Sequence, residues 1–559
     1  MELNNVNISK ENAEYNALDG TQAVIQEAAH SNPAHKWKQW QLIAFRISFI
    51  FFISICIPNN FEWYKHVINI DWTNLHYRDL YDIARFGSGL NFFGNSIFGN
   101  TLLGYANWII TLIFSTVGGL LWTFIDQRRN PQPTEYNVLY YWLRAIVRYR
   151  AAIGIIGFGF TKLFPVQMPY PSYGLLNTDF GDFTAQKIYW LSIGIVPWYQ
   201  VFAGVVEIGA GTLLFFRKTT LLGAALLFGA LGDIVYVNFA YDGGVHVYSS
   251  YFVLLSAFLI VHYVPALYNL LILEQPAKVV SFYPSFSKAW QQGVRVSLKV
   301  ATIAIFLVLF FYLQWINFLY DPYKQPSTKG VTALRGYYNV TEFKVNGKEI
   351  PYSPLDTTRW QEATFENWTT LTFKVNRPTP LDLSNGGGDP QRDINRTFEL
   401  TGIAGGRRVF HYYADTVENM LYLQDKYKAL PDRRNVVAGA GGDGPGNGSP
   451  AEKRVEIPEN RKGGIYSDTW ISKKAWSNIG EEVNFIDPRA SSTRRNREFA
   501  EAGKKLDKRN RMVLQYQTDD GQRVILQGLN EDQDSLYVVL DKVDRQYILS
   551  KSDLVAGKY

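Results

Sequence analysis

A single cysteine, Cys56, stands in 559 residues, so no disulfide can close within the chain and internal thiol–disulfide exchange is excluded. Paired histidines at ligand spacing, a Cys-x-x-Cys-His haem site, a phosphate loop and a Gly-x-Ser-x-Gly elbow are all missing from the sequence. No cofactor or metal is therefore encoded by a motif. An excess of one charge is missing too: 56 Lys and Arg against 50 Asp and Glu leave a net +6, and no nucleic-acid partner is expected. A polar first half is the last thing absent, and it is the most informative. The mean hydropathy of −0.12 averages an apolar stretch of about 320 residues with a polar, Gly-rich remainder. That division excludes a wholly soluble chain.

About twenty apolar residues cross a bilayer core as a helix. Seven segments approach that length: 41–57, 101–125, 142–160, 197–216, 221–237, 251–271 and 300–319. Some forty polar residues precede the first, which lacks a small-residue cleavage pattern and reads as an anchor. Lys36, Lys38, Arg128, Arg129, Arg144, Arg217, Lys218, Lys278, Lys288, Arg295 and Lys299 all fall on one side of a seven-span topology. That side is the cytoplasm by the positive-inside rule. The reading is a bacterial inner-membrane protein with a cytoplasmic N-terminus and a periplasmic C-terminal domain.

From about residue 330 the pattern shortens to period two. Short β-branched and aromatic runs at 341–345, 369–375, 397–400, 408–413, 512–517, 522–527, 535–540 and 546–549 predict strands. Asn346-Gly347 and Asp520-Gly521 predict tight hairpin turns. The expected result is an all-β domain, a small barrel or sandwich. A Gly-rich basic insertion at about 430–510 holds Arg433-Arg434, Arg494-Arg495 and Lys504-Lys505. It reads as a solvated loop or as a docking surface for an acidic partner or lipid headgroups.

Ionisable groups inside apolar runs are costly and face partners. Gln200 and Glu207 share one helical face with Ala203, Gly204 and Gly211, whose small side chains let helices approach closely. Asp233 lies in the next run. Asn238, Asp242 and His246 follow at steps of four, on one face if that stretch is helical. Glu207 and Asp233 admit three readings: a carboxylate paired with Arg148 or Arg150, a proton-handling or quinone-contacting group, or a metal ligand with His246. Lys162 either snorkels outward or turns inward to Glu207 or Asp242. The Pro- and aromatic-rich loop after Lys162 is expected to lie at the outer membrane boundary.

The segments RYRAAIGIIGFGFTKLF, PWYQVFAGVVEIGAGTLLFFRKTTLLGA and NFAYDGGVHVYSSYFVLL together resemble the DoxX-like membrane protein family, in its long form with a C-terminal β domain. The resemblance covers about residues 144–273 and rests on the order of Lys162, Gln200, Glu207, Arg217, Asn238, Tyr241 and Asp242. The tail LNEDQDSLYVVLDKVDRQYIL is similar to the end of such proteins. His246 stands where relatives carry lysine, and the Gly-rich insertion lies outside the pattern. The resemblance implies a four-helix membrane unit at 144–273, between a two-helix segment at 41–143 and a connector with the last span at 274–320. A tail at 1–40 and a β domain at 321–559 complete the organisation.

Some relatives are linked to quinone reduction, others to membrane assemblies. The functional expectation is therefore a redox-associated protein that binds a quinone or similar lipid-soluble group. Glu207 or Asp242 would take the proton, Tyr199 and Gln200 would orient the ring, and Arg150 or Lys162 would stabilise an oxyanion. Asp233, Asn238 and His246 would line the same seam. The alternative is a non-enzymatic scaffold or accessory subunit, whose partners are membrane lipid and other envelope proteins or a second copy of itself.

Overall fold

The structure, a computed structural model, describes residues 37–59, 61–85, 102–129, 131–279, 281–286, 288–321, 324–379, 381–383, 392–426, 463–480, 489 and 509–549. The N-terminal tail, most of the Gly-rich insertion and its three basic clusters lie outside these residues. The long helices are α1 (Gln39–Cys56), α4 (Leu103–Gln127), α5 (Asn137–Leu163), α8 (Pro197–Leu214), α9 (Thr220–Ala240), α10 (His246–Val261) and α12 (Ala289–Ile303). The last runs through a π-helical stretch at Ala304–Leu309 into α13 (Phe310–Tyr320). Shorter helices are α2 (Phe61–Ile68), α3 (Tyr77–Ala84), α6 (Tyr173–Leu176), α7 (Ala185–Gly194), α11 (Val264–Leu271) and α14 (Lys473–Ile479).

Among the described residues, four helical stretches are long and apolar enough to cross a membrane, or up to six if each of two bent pairs is one span. The bent pairs are α7 with α8, at 91°, and α10 with α11, at 71°. The run at 251–271 is thus not one straight helix. It breaks before Pro265, whose ring cannot continue the hydrogen-bond ladder. The last apolar helix also begins 11 residues before the expected 300, because Gln and Lys tolerate helix well while lowering hydropathy. α5 extends over 27 residues despite Arg144, Arg148, Arg150 and Lys162.

The chain divides into two compact units. One comprises Met1–Ile53, Leu112–Leu143 and Phe282–Pro284. In it, buried Arg46 meets buried Asp126 at 3.1 Å and donates to Thr123 and Tyr136. This internal ion pair between α1 and α4 answers the cost of burying either charge alone.

The other unit comprises Ser54–Thr111, Arg144–Ser281 and Ser285–Tyr559. Its β part is a closed barrel. Strands β1 (Gly336–Val345), β3 (Trp360–Phe365), β4 (Thr370–Val375), β5 (Arg407–Asp415), β6 (Met420–Asp425), β7 (Arg511–Asp519), β8 (Arg523–Leu529) and β9 (Ser535–Lys542) pair antiparallel in order. β9 closes back on β1, and short β2 (Lys348–Glu349) caps the β1 edge. Asn346 with Gly347 and Asp520 with Gly521 all have positive φ, the type I′ geometry that matches the twist of paired strands. The interior is filled by Tyr338, Phe343, Trp360, Phe365, Phe373, Phe410, Tyr412 and aliphatic side chains, as expected of an eight-stranded barrel.

Two expected strands are not strands. Residues 397–400 form a turn, in which the Leu400 and Thr401 amides bond back to Thr397. Residues 546–549 run irregularly past the barrel, with Tyr547 stacked on Tyr173. Strands β3 and β6 were not anticipated, since Gln361, Glu362 and Gln424 blur their alternation. Inside the expected Gly-rich insertion, α14 packs Trp476 on Tyr413, and Trp470 meets Tyr422.

Helices α5 and α8 approach backbone to backbone. A Cβ on Gly204 would lie 2.7 Å from the Gly159 carbonyl and closer still to the Leu163 amide; one on Gly211 would meet Ile156 at 2.6 Å. Gly204→Val should therefore push the helices apart and cost about 1–3 kcal/mol. A lowered unfolding midpoint in detergent is the expected readout, and an unchanged midpoint would mean the contact is not tight.

Candidate functional site

That close approach carries the one charge pair of the expected seam. Glu207 is three residues after Gly204 and four before Gly211, so it shares their face. It is 2% exposed, and its Oε1 accepts from Lys162 Nζ at 2.6 Å. Lys162 thus turns inward rather than snorkelling. Neither Arg148 nor Arg150 pairs with Glu207. Arg148 donates to Thr220 Oγ1. Buried Arg150 donates to the Tyr251 hydroxyl at 3.1 Å and to the Ala84 carbonyl at 2.8 Å, and Tyr251 in turn donates to the Ile55 carbonyl. Twelve residues separate Arg150 from Lys162 on α5, about a third of a turn out of phase, so they serve different faces. The second oxygen of Glu207, Oε2, is buried with no hydrogen-bond partner among the described residues.

The remaining seam candidates are distributed elsewhere. Gln200 is buried and clamps the loop backbone, accepting from the Met168 amide and donating to the Met168 carbonyl. Asn238 donates to the Ile234 carbonyl and accepts from the Val245 amide, which fixes the α9–α10 turn. The stretch 238–246 is not one helix. α9 ends at Ala240, and Asp242 and Gly244 take positive φ. Asp242 is therefore exposed while His246 is buried, its ring stacked 4.4 Å from Phe239 and 5.6 Å from Tyr105. Asp233 and Tyr199 are exposed on their helices, within electrostatic reach of Tyr189. Among the described residues no three His, Cys, Asp or Glu side chains converge to hold a metal ion.

A denser set of charges, missed in the sequence, is buried where the loops at 165–190 and 392–403 meet the barrel. The loop after Lys162 docks on this β part. Thr184 N donates to Gly402 O, Phe183 bridges to Ile403, and Glu366 accepts from the amides of Tyr173 and Gly174 at 2.9 and 2.7 Å. Burial, and then the nearby Glu399, raise the Glu366 carboxyl to about 7. Glu399 accepts from Lys426 and Trp368. Asp393 accepts from the Ser327 and Thr328 amides, and Arg396 reaches Asp321 at 2.6 Å. Buried His411 contacts Thr369 Oγ1, and burial together with Lys426 depresses its imidazole to about 3. No local spacing could signal this set, because its members come from five separated segments. The one available hint was Arg407, Arg408 and His411 inside an otherwise apolar strand.

Comparison with known protein families, curated proteins and solved structures yields no match to this chain.

Proposed function

We propose that the chain is an integral protein of a bacterial inner membrane, related to the DoxX-like proteins, that binds a quinone or similar lipid-soluble group at the Lys162–Glu207 pair. The observation that carries this reading is the Glu207 carboxylate. It lies in a seam between apolar helices with one oxygen ion-paired and the other without a hydrogen bond among the described residues. A carboxylate so placed is competent to accept a hydroxyl proton donor from a ligand entering along the helices. Lys162 supplies the countercharge to the carboxylate in that apolar surrounding. Electrons for any redox step would come from a partner, as the chain encodes no redox centre by motif.

The topology proposed is seven spans with the β barrel outside the cytoplasm. Contact between the loop at 165–190 and the barrel supports it, because both must then lie on the same side of the membrane. Four spans between them, α8, α9, α10 with α11, and α12 with α13, meet that requirement. Gentle purification of the full chain followed by mass spectrometry of copurifying molecules tests the reading. One quinone-like molecule per chain, lost in Glu207→Gln, is expected. Retention of that molecule in the variant would remove the site, and its absence from wild type would sink the reading. The alternative, an accessory subunit, draws support from Gln200 and Asn238, whose side chains are bonded to their own chain's backbone. It predicts stoichiometric protein partners and no small molecule.

A further inference from the structure

Lys324 lies four residues beyond the end of α13 and is 3% exposed. Its ammonium sits 3.8 Å from the centre of the Trp190 ring and 5.7 Å from that of Phe398. Lys187, equally buried, places its own ammonium 3.6 Å from the Phe398 ring centre and donates to the Phe398 carbonyl. The charged groups that act on Lys324 are Lys187 and Arg78, both repulsive, and with burial they hold its ammonium well below its ordinary range. The carboxylates of this region are engaged by other cations. Glu399 is held by Lys426 and Asp321 by Arg396, while Glu399 and Asp382 act on Lys187. Among the described residues Lys324 has no ion pair and no hydrogen bond, only ring faces. Aromatic faces return part of an ammonium's lost hydration, but they do not supply the oxygen acceptors that its three N–H groups require.

A buried lysine faced only by rings calls for an oxyanion, which accepts from its N–H groups and restores the charged form that burial disfavours. We propose that Lys324 and Lys187, with Arg78 adding to the field, form a binding site for a phosphate-type oxyanion walled by Trp190 and Phe398. Two sources share that chemistry: the phosphodiester headgroup of an anionic phospholipid, which the position just past the last apolar helix would favour, and a free phosphate or phosphorylated solute. The site is separate from the Lys162–Glu207 pair and does not depend on that pair's function.

The test uses the full chain in neutral detergent, stripped of lipid by exchange. Thermal unfolding is followed with inorganic phosphate at constant ionic strength, and after reconstitution into discs of phosphatidylglycerol or of phosphatidylcholine. A midpoint raised by phosphate supports a soluble source. A midpoint raised only by phosphatidylglycerol supports the lipid source. Lys324→Met should lose the response by at least tenfold in half-saturating concentration. It should also unfold no earlier than wild type in the anion-free state, since it removes a buried amine faced only by rings. If that variant fails to fold, Lys324→Gln and phosphorus-31 resonance on wild type replace it, with a bound signal of about one phosphorus per chain expected. No response of wild type to either phosphate or phosphatidylglycerol, or an undiminished response in the folded variant, overturns the site.

Discussion

Lys162→Met is expected to destabilise the chain by about 3–5 kcal/mol, because it strands the Glu207 carboxylate inside the α5–α8 seam. The seam cannot relax around the stranded charge: Gly159, Gly204 and Gly211 already bring the two backbones into contact. Glu207→Leu should cost less than Lys162→Met. Lys162 stands one residue before the end of α5, and its long stem can carry the freed ammonium toward the helix end, whereas a carboxylate in mid-helix has no such route. The double variant Lys162→Met with Glu207→Leu should recover most of the loss, since an apolar pair of similar volume replaces a buried ion pair at little net cost. The coupling between the two sites is thus large and favourable in the double-mutant cycle. Unfolding midpoints in detergent check each value. Equal losses in Lys162→Met and in the double variant would show that the pair is not a unit. The double variant also separates two roles. If the pair only holds helices together, restoring stability restores whatever the protein does. If Glu207 meets a ligand, stability returns and binding does not.

How much of this was legible in the sequence depends on how far apart the interacting residues lie along the chain. The helical part and the β part follow from hydrophobic period alone, and Asn346-Gly347 and Asp520-Gly521 marked their turns because type I′ geometry has few residue solutions. The Glu207 face was legible because Gly204 and Gly211 sit within one turn of it. Its partner was less so. Lys162 lies 45 residues away, and a basic residue near a helix end satisfies the snorkelling pattern equally well. Asp242 misled because two glycines reverse the chain at 243–244, turning a spacing of four from one helix face into a helix, a bend and a second helix. The charge layer under the barrel left almost no trace. Lys187, Lys324, Glu366, Glu399 and Lys426 each look like ordinary surface residues, and only tertiary closure of the loops onto the barrel buries them together. For the same reason the strand expected at 397–400 became the turn that brings Phe398 and Glu399 into that layer.

Within this layer two titrations of opposite sign should be separable by mutation. Glu366 faces Glu399, the Ser172 hydroxyl and the Tyr173 and Gly174 amides, and folding raises its carboxyl from 4.5 to about 7. A raised folded pKa favours the protonated form, so its contribution is fully present below pH 4.5 and is lost as pH climbs through 7. His411 faces Lys426, Asp393, Arg509 and Thr369, and folding depresses its imidazole from 6.5 to about 3. That contribution is present above pH 6.5 and is lost as pH falls toward 3. Between pH 4.5 and 6.5 the folded state therefore holds one extra proton at Glu366 and lacks one at His411. The two slopes, each about 1.4 kcal/mol per pH unit in magnitude, cancel. With both groups present, their joint contribution to stability should be nearly flat between pH 5 and 6.5. Glu366→Gln should gain stability relative to His411→Gln as pH rises across that window, the two diverging by about 3 kcal/mol. The glutamine at 366 retains an acceptor for one of the two loop amides, and the glutamine at 411 retains a partner for Thr369. Denaturant midpoints of the full chain at pH 5.0 and 6.5 read the difference. Parallel profiles in the two variants would mean that these groups do not carry the linkage, and that the layer keeps their charge states unchanged from the unfolded chain.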